Sequence, residues 1–231
     1  MKKYLILVFS LFLISSFFPS CKKEKKTDDS QTGTTVTDID GKVYQTVKIG
    51  NQIWMAENLK TTRYRNGDSI TYVADKTTWF NLTSGAYCSY ENTPSLVDTY
   101  GYLYNWYAVN DSRNIAPEGW RVATKEDWDE LRTFLGGDGV GIKLKEVGTT
   151  HWQAPNDGAT NETHFTALPG GMRGGSGQGF YDLGKTGRWW TSTMVSTSSA
   201  SYRELFYNNK GLSYASPSSM KNGYSIRCIK N

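Results

Sequence analysis

The stretch that determines the fold class is residues 119–137, GWRVATKEDWDELRTFLGG. Its start, residues 120–122, is typical of a short strand. Thr124 then stands three residues before Asp127, which is the spacing of a helix capping box. One apolar helix face follows, formed by Trp128, Leu131 and Leu135. Two glycines end the pattern, since glycine accepts a left-handed conformation, so the stretch predicts a strand and then a helix over about 125–135.

Upstream, residues 36–55 (VTDIDGKVYQTVKIGNQIWM) alternate apolar and polar side chains between the turn dipeptides Asp40-Gly41 and Gly50-Asn51. Such a pattern predicts two or three short antiparallel strands. It assigns one face of the central strand to Val43, Gln45, Val47 and Ile49. It assigns the opposite face to Tyr44, Thr46 and Lys48.

Downstream, glycines divide the chain into short runs that predict strands joined by loops. Residues 99–109 have the spacing of a short helix. Residues 170–179, GGMRGGSGQG, contain six glycines in ten positions and match no phosphate-binding motif, so they are expected to form a flexible surface loop. No repeat of 20–50 residues is visible. The pattern as a whole favours an α+β domain.

The composition indicates a folded chain with an aromatic interior. Aromatic residues make up 14% of the 231 residues, including 8 Trp and 15 Tyr, so there is enough apolar material for a core. The net charge is +4, and two of the positive charges, Lys2 and Lys3, belong to the extreme N-terminus. Without a basic stripe, the remainder gives no reason to expect a nucleic-acid partner.

The N-terminus has the features of an export signal. Lys2 and Lys3 precede the apolar run 4–18, YLILVFSLFLISSFF, which is short for a membrane span. Cys21 follows a small residue, Ser20, as in a bacterial lipobox, although Phe-Pro-Ser-Cys departs from the usual aliphatic pattern. We therefore expect residues 1–20 to be a lipoprotein signal peptide and Cys21 to be lipidated. Ordinary secretion and an uncleaved anchor are the alternatives.

Residues 22–37, KKEKKTDDSQTGTTVT, contain no large apolar side chain except Val36. A segment of this kind cannot bury enough surface to fold. Residues 21–35 are therefore interpreted as the lipidated cysteine and a flexible tether. The charged part of the tether could also act as a sorting signal, and the sequence does not distinguish the two roles.

Several segments together resemble the Fibrobacter succinogenes major paralogous domain family, over residues 36–231. They are DIDGKVYQTVKIGNQIWMAENL (38–59), YRNGD (64–68), YGYLYNWYAV (100–109), APEGWRVATKEDWDEL (116–131), FTALPGGMR (165–173), WWTST (189–193) and YSIRCIK (224–230). This family is similar to the C-type-lectin-like fold of the formylglycine-generating enzymes. The resemblance implies short antiparallel strands, two flanking helices, long irregular loops and pairing between the first and last strands.

The resemblance also bears on catalysis. Formylglycine-generating enzymes hold copper with a pair of cysteines near the C-terminus, whereas the last third of this chain has only Cys228. We therefore expect no enzymatic activity and no cofactor. Cys88 and Cys228 remain as an even pair in an exported domain, which favours a disulfide over two buried free thiols.

Other chemistry lacks a recognisable pattern. His151 and His164 have no further ligands at zinc spacing, so no metal site is predicted. A calcium site remains an alternative, with a weak cluster at Asn156, Asp157, Asn161 and Glu162, or at Asp138. No nucleophile with a general base can be named.

The aromatic side chains are the remaining candidates for ligand binding. Trp54, Trp120 and Trp128 are expected in the core, since a chain poor in aliphatic residues must fill its interior with rings. A platform for sugar rings could be formed by Trp79, Phe80, Trp106, Trp152, Tyr181, Trp189 and Trp190. The candidate ligand-binding residues are Trp189, Trp190, Tyr181 and Arg173, with burial in the core as the alternative.

Three functions follow from these observations. The first is a non-catalytic binding module of a lipoprotein that a lipid anchors to the outer membrane, on its periplasmic or surface face, with a glycan or a protein as ligand. The second is an enzyme related to the formylglycine-generating oxidases or a glycan hydrolase, for which no catalytic set can be placed. The third is a structural surface or adhesin subunit without a small ligand.

Overall fold

The computed structural model describes Met1, residues 34–214 and residues 217–231. The predicted signal peptide beyond Met1, the lipidation site Cys21 and most of the predicted tether lie outside the described residues. No helix among the residues described is long and apolar enough to cross a membrane.

Short strands dominate the described part of the chain. In order they are β1 (Thr35–Thr37), β2 (Val43–Ile49), β3 (Gln52–Met55), β4 (Thr71–Tyr72), β5 (Ala86–Cys88), β6 (Leu103–Tyr104), β7 (Trp120–Val122), β8 (Gly170–Gly174), β9 (Gly179–Leu183), β10 (Thr186–Met194), β11 (Ser199–Phe206), β12 (Ser213–Tyr214), β13 (Ser218–Ser219) and β14 (Cys228–Lys230). All the strand pairs are antiparallel except β4 with β5.

The helices are fewer and mostly brief. They are α1 (Lys76–Asn81), α2 (Val97–Tyr100), α3 (Trp106–Val109), α4 (Lys125–Phe134) and α5 (Gly141–Leu144), with 3₁₀ turns at Tyr90–Asn92 and Pro94–Leu96. The predicted α+β class is confirmed. The helix expected over 99–109 is only partly present, because strand β6 separates α2 from α3 and Asn105 caps the start of α3 through its side chain.

The best local prediction, the strand and helix of residues 119–137, is confirmed. Thr124 accepts the amide of Asp127 and the Asp127 carboxylate accepts the amide of Thr124, which completes the capping box. Trp128 and Leu131 are buried on the inner face of α4. The helix ends where Gly136 takes a φ of 104°.

The largest sheet joins both ends of the described domain. Its order is β1-β2-β3-β14-β7. Ile229 of the last strand lies opposite Trp54 of β3 on one side and Arg121 of β7 on the other. The resemblance implied pairing of the first and last strands, and the partner of β14 in the first hairpins is β3 and not β1.

The predicted faces of β2 are only half right, because the sheet is covered on both sides. Tyr44 and Thr46 are buried on one face, whereas Val43 and Gln45 are exposed on the other. Burial then changes face, and the next inward residues are Val47 and Ile49. Tyr44 belongs to one core cluster and Val47 with Ile49 to a second.

Smaller sheets complete the domain. Strands β10, β11 and β12 form a second sheet, with β13 also paired to β11, and β4, β5 and β6 form a third. Strands β8 and β9 form a hairpin in which Met172 lies opposite Tyr181. The flexible loop expected at 170–179 is therefore wrong: its first five residues are strand β8, and four of them are buried.

Candidate ligand-binding site

The two tryptophans proposed as a sugar platform lie in the core. Trp189 and Trp190 are both fully buried. The indole of Trp189 donates to Asn58 Oδ1 at 2.8 Å, and that of Trp190 donates to the Tyr104 carbonyl at 2.9 Å. Their faces and their N–H groups are thus in use inside the protein, so the structure corrects the expectation that they bind a ligand.

The same correction applies to Arg173. The residue is 1% exposed, and its guanidinium donates to the carbonyls of Val73, Ala74 and Asp75 at 2.5, 3.0 and 3.1 Å. It also lies over the ring of Trp79 at 4.3 Å. Planar stacking and several fixed acceptors are the arrangement that arginine supports best. Arg173 therefore joins the β8 strand to the segment before α1 and is not available to a ligand.

Tyr181 differs from these three residues, since it is 39% exposed on β9. Its hydroxyl donates to the Gln178 carbonyl at 3.1 Å. The remaining rings of the predicted platform are also either buried or exposed. Trp79, Trp106 and Trp152 are buried, and Phe80 is exposed. Trp54, Trp120 and Trp128 are buried as predicted.

The predicted disulfide is absent. Cys88 and Cys228 are both free and buried. Cys88 lies on β5 in a core cluster with Trp79, whereas Cys228 lies on β14 in another cluster. Burial raises the pKa of Cys88 to about 11 and that of Cys228 to about 12. The even number of cysteines led to the wrong prediction of a disulfide, because both thiols act as small apolar core residues.

Several of the residues considered for metal binding have other partners. His151 Nδ1 contacts the Glu146 carboxylate at 2.8 Å. Asn161 bonds to Thr166 through both side-chain atoms, and Glu162 pairs with Lys143 at 3.1 Å. Among the residues described, no group of three or more His, Cys, Asp or Glu side chains could hold a metal ion.

A row of tyrosines crosses the small sheet of β4, β5 and β6. Tyr72 lies opposite Tyr87, and Tyr87 lies opposite Tyr104. Tyr102 packs edge-on against Tyr87, with ring centroids 4.7 Å apart. We name Tyr72, Tyr87, Tyr102 and Tyr104 the tyrosine row. Register holds the backbones of Tyr72, Tyr87 and Tyr104 side by side, and Tyr102 joins them through its ring contacts with Tyr87 and Tyr104.

Exposure increases along the tyrosine row from the core to the surface. Tyr104 is fully buried and donates from its hydroxyl to the Thr61 carbonyl at 2.7 Å. Tyr87 is 9% exposed, Tyr102 is half-buried, and Tyr72 at the outer end is 44% exposed. The inner rings therefore anchor a row whose outer end meets solvent.

Polar groups surround the outer end of the row. The Tyr72 hydroxyl lies 3.5 Å from both Ser89 Oγ and Asn92 Oδ1. Burial, and then the neighbouring Tyr102 and the Asp40 carboxylate, raise the pKa of Tyr87 to about 12. Burial also raises the pKa of Tyr102. Both phenols are therefore protonated at neutral pH, and each can donate and accept a hydrogen bond.

Sequence reasoning missed the tyrosine row. Its strands are two or three residues long and their partners are distant in the chain, so periodicity gives no signal. The available clue was repetition, because the short segments TY at 71–72, AYC at 86–88 and YLY at 102–104 each contain tyrosine.

Comparisons with known proteins give one result. Neither the search of curated proteins nor the search of solved structures found a match. The family model described as the Fibrobacter succinogenes major domain matches residues 47–230, which is most of the chain and includes all four tyrosines of the row. This chain therefore belongs to the Fibrobacter succinogenes major domain family.

Proposed function

We propose that the protein is a cell-envelope lipoprotein whose domain, residues 36–231, is a non-catalytic module that binds a glycan or a protein. The observation that carries the binding role is the tyrosine row, because it places an exposed ring, Tyr72, on a rigid sheet beside groups that form hydrogen bonds. Tyrosine is suited to recognition, since it combines a large apolar face with a polar tip.

The envelope location is proposed from the N-terminus. An apolar run of export length is followed by Cys21, which would receive the lipid and hold the domain at the outer membrane. Stable anchoring requires more than one acyl chain, as a lipobox cysteine provides through its sulfur and its amine. The polar residues after Cys21 would then act as the tether.

The finer fold assignment is a proposal as well. A C-type-lectin-like arrangement is supported by the C-terminal strand β14, which lies between β3 of the first hairpins and β7, and by helix α4 directly after β7. The short strands and long irregular connections fit the same arrangement. An experimental structure of this chain, superposed on a C-type-lectin-like domain, would test it.

The oxidase alternative has less support. Its relatives need two cysteines near the C-terminus, and this chain has Cys228 there, with Cys88 on a different strand and in a different core cluster. Both thiols are free and buried, and they lie in different core clusters, which gives no support for a shared copper site. We therefore propose a binding role and not a catalytic one.

Two measurements on the full chain, expressed with its export signal in a Gram-negative host, test the proposal. A palmitate analogue should label the protein and the label should disappear in Cys21→Ser, with loss from the membrane fraction. The lipoprotein extracted in mild detergent should bind saturably to glycans on an array or to an envelope protein. An unlabelled, soluble protein would contradict the envelope assignment, and the absence of any saturable ligand would favour the structural-subunit alternative.

A further inference from the structure

We infer that the tyrosine row is a subsite for an uncharged carbohydrate, in which the Tyr72 ring stacks on the apolar face of a pyranose while the hydroxyls of Tyr72 and Tyr102 bond to sugar hydroxyls. This inference rests on the proposed binding function and assigns it a place and a ligand class. Three properties of the row support it: an exposed ring, hydroxyls that can form further hydrogen bonds, and nearby carboxylates.

The ring of Tyr72 is available and already positioned. It is 44% exposed, yet its centroid lies 5.4 Å from that of Tyr87 in an edge-to-face contact. The register pairing of β4 with β5 holds the backbone of both residues. A ring fixed before binding loses little conformational entropy when a ligand arrives. Tyr72 is therefore a preorganised stacking surface and not a loose side chain.

The hydroxyls of the row have capacity for further hydrogen bonds. The two contacts of the Tyr72 hydroxyl, to Ser89 and Asn92, are each 3.5 Å, which is longer than a well-formed O–H···O bond. Tyr102 lies beside the same edge, within electrostatic reach of the Tyr72 hydroxyl and Asp40. Phenols both donate and accept, as sugar hydroxyls do, so the two sets of groups are complementary.

The charges near the row disfavour an acidic ligand. Asp40 faces Tyr87 and Tyr102, and the exposed Asp98 faces Tyr102. Lys60 and Arg63 already have acidic partners: Lys60 pairs with Glu57 at 2.8 Å, and Arg63 contacts Asp40 at 3.4 Å. A uronate or phosphate would approach the carboxylates of Asp40 and Asp98. The ligand class is therefore a neutral sugar.

The test uses the detergent-extracted full chain and two soluble probes of equal length, cellohexaose and hexagalacturonic acid. Cellohexaose is chosen because its hydroxyls are all equatorial, which leaves C–H groups on both ring faces. We expect saturable binding of cellohexaose by calorimetry and weaker binding of hexagalacturonic acid. Asp98→Asn should reduce the difference in affinity between cellohexaose and hexagalacturonic acid, because it removes a negative charge near the row.

The variants separate stacking from folding. Tyr72→Ala should lower the affinity for cellohexaose about three- to tenfold, as expected for one lost aromatic contact, whereas Tyr72→Phe should keep most of it. Phe134→Ala is the control, because Phe134 is an exposed aromatic residue on α4, outside the row and outside every candidate set. Unchanged far-UV circular dichroism shows that each variant is folded.

The outcomes distinguish this inference from the proposed function. Cellohexaose that fails to bind, or binds equally well to Tyr72→Ala, overturns the inference, while saturable binding of another glycan or a protein elsewhere leaves the binding function intact. Tighter binding of hexagalacturonic acid overturns the charge argument. Binding of a protein ligand that requires Tyr72 would support the tyrosine row as a binding site but would overturn the assignment of a carbohydrate ligand.

Discussion

Arg227 Nε donates a hydrogen bond of 2.8 Å to Asn58 Oδ1, although the two residues are 169 positions apart. The same oxygen accepts the indole N–H of Trp189 at 2.8 Å. Arg227 is 1% exposed, and the rest of its guanidinium donates to the carbonyls of Met55, Phe165 and Thr166. One amide oxygen therefore joins three distant segments of the chain, and among the residues that the structure describes no carboxylate bonds to this cation.

Asn58→Ala should lower the free energy of unfolding by about 2–4 kcal/mol, because it leaves two buried donors, one of them charged, without their acceptor. Burial already lowers the pKa of the Arg227 guanidinium to about 9, so the cation is poorly solvated before the change. Urea unfolding followed by tryptophan fluorescence measures the loss. Asn208→Ala, at an exposed position, is the control and should change stability by less than about 0.5 kcal/mol.

The sequence predicted best those elements whose signals are local. Helix α4 was located because its capping box, apolar face and terminal glycines all lie within 119–137. The Asn58–Arg227 bond and the tyrosine row could not be found this way. Both depend on which distant segments become neighbours, and a single sequence contains no register information for strands of two or three residues.

The buried tryptophans show a different limit of sequence reasoning. Adjacent tryptophans such as Trp189 and Trp190 are typical both of sugar-binding surfaces and of protein cores. Which of the two they form depends on how many aliphatic residues are available to fill the interior. All eight tryptophans are buried. Likewise, the glycines of 170–174 looked like a mobile loop, but they belong to strand β8, where a Cβ at Gly171 would lie 2.4 Å from the Tyr181 carbonyl oxygen.

Arg173→Met should destabilise the fold by about 2–4 kcal/mol, because three carbonyls near α1 lose their donor while the apolar stem is kept. Near-UV circular dichroism should also change, since the guanidinium lies over the Trp79 ring. The matched control is Arg113→Met. Arg113 pairs with Asp111 at the surface, where such pairs contribute little. Equal stability of the two variants would contradict the structural role of Arg173.

Lys145 should make stability increase with pH above about 8. Its ammonium is fully buried, donates to the carbonyls of Phe206 and Asn209, and has its pKa lowered by burial to about 8. Between that value and the ordinary value near 10.5, the unfolded chain binds the proton and the folded chain does not. Unfolding thus takes up a proton there, and raising the pH favours the folded state.

The measurement compares urea unfolding of the wild type and Lys145→Met at pH 7, 8, 9 and 9.5. The difference in free energy between them should increase with pH in favour of the wild type, with a slope of at most about 1.4 kcal/mol per pH unit. Measurements stop below pH 10, where tyrosines in the unfolded chain begin to ionise. Parallel pH profiles for the two proteins would show that Lys145 does not titrate in this range.

Cys88 and Cys228 should be alkylated only after unfolding and without any reductant. Both thiols are buried and have raised pKa values, so little thiolate forms and none of it is accessible. In the Cys21→Ser chain, intact mass after iodoacetamide in urea should show two added groups, and none under native conditions. A protein that takes up none in urea until it is reduced would instead contain a disulfide.

Gly171 and Gly177 allow a steric effect to be separated from a conformational one. Both have positive φ, at 65° and 78°, so alanine is strained at either position. A Cβ at Gly171 would lie 2.4 Å from the Tyr181 carbonyl oxygen, whereas a Cβ at Gly177 meets nothing within 4 Å. Gly171→Ala should therefore cost about 1–3 kcal/mol more than Gly177→Ala, as measured by urea unfolding. Equal losses would mean that β8 and β9 can separate at no cost, and that the hairpin does not have the close contact described above.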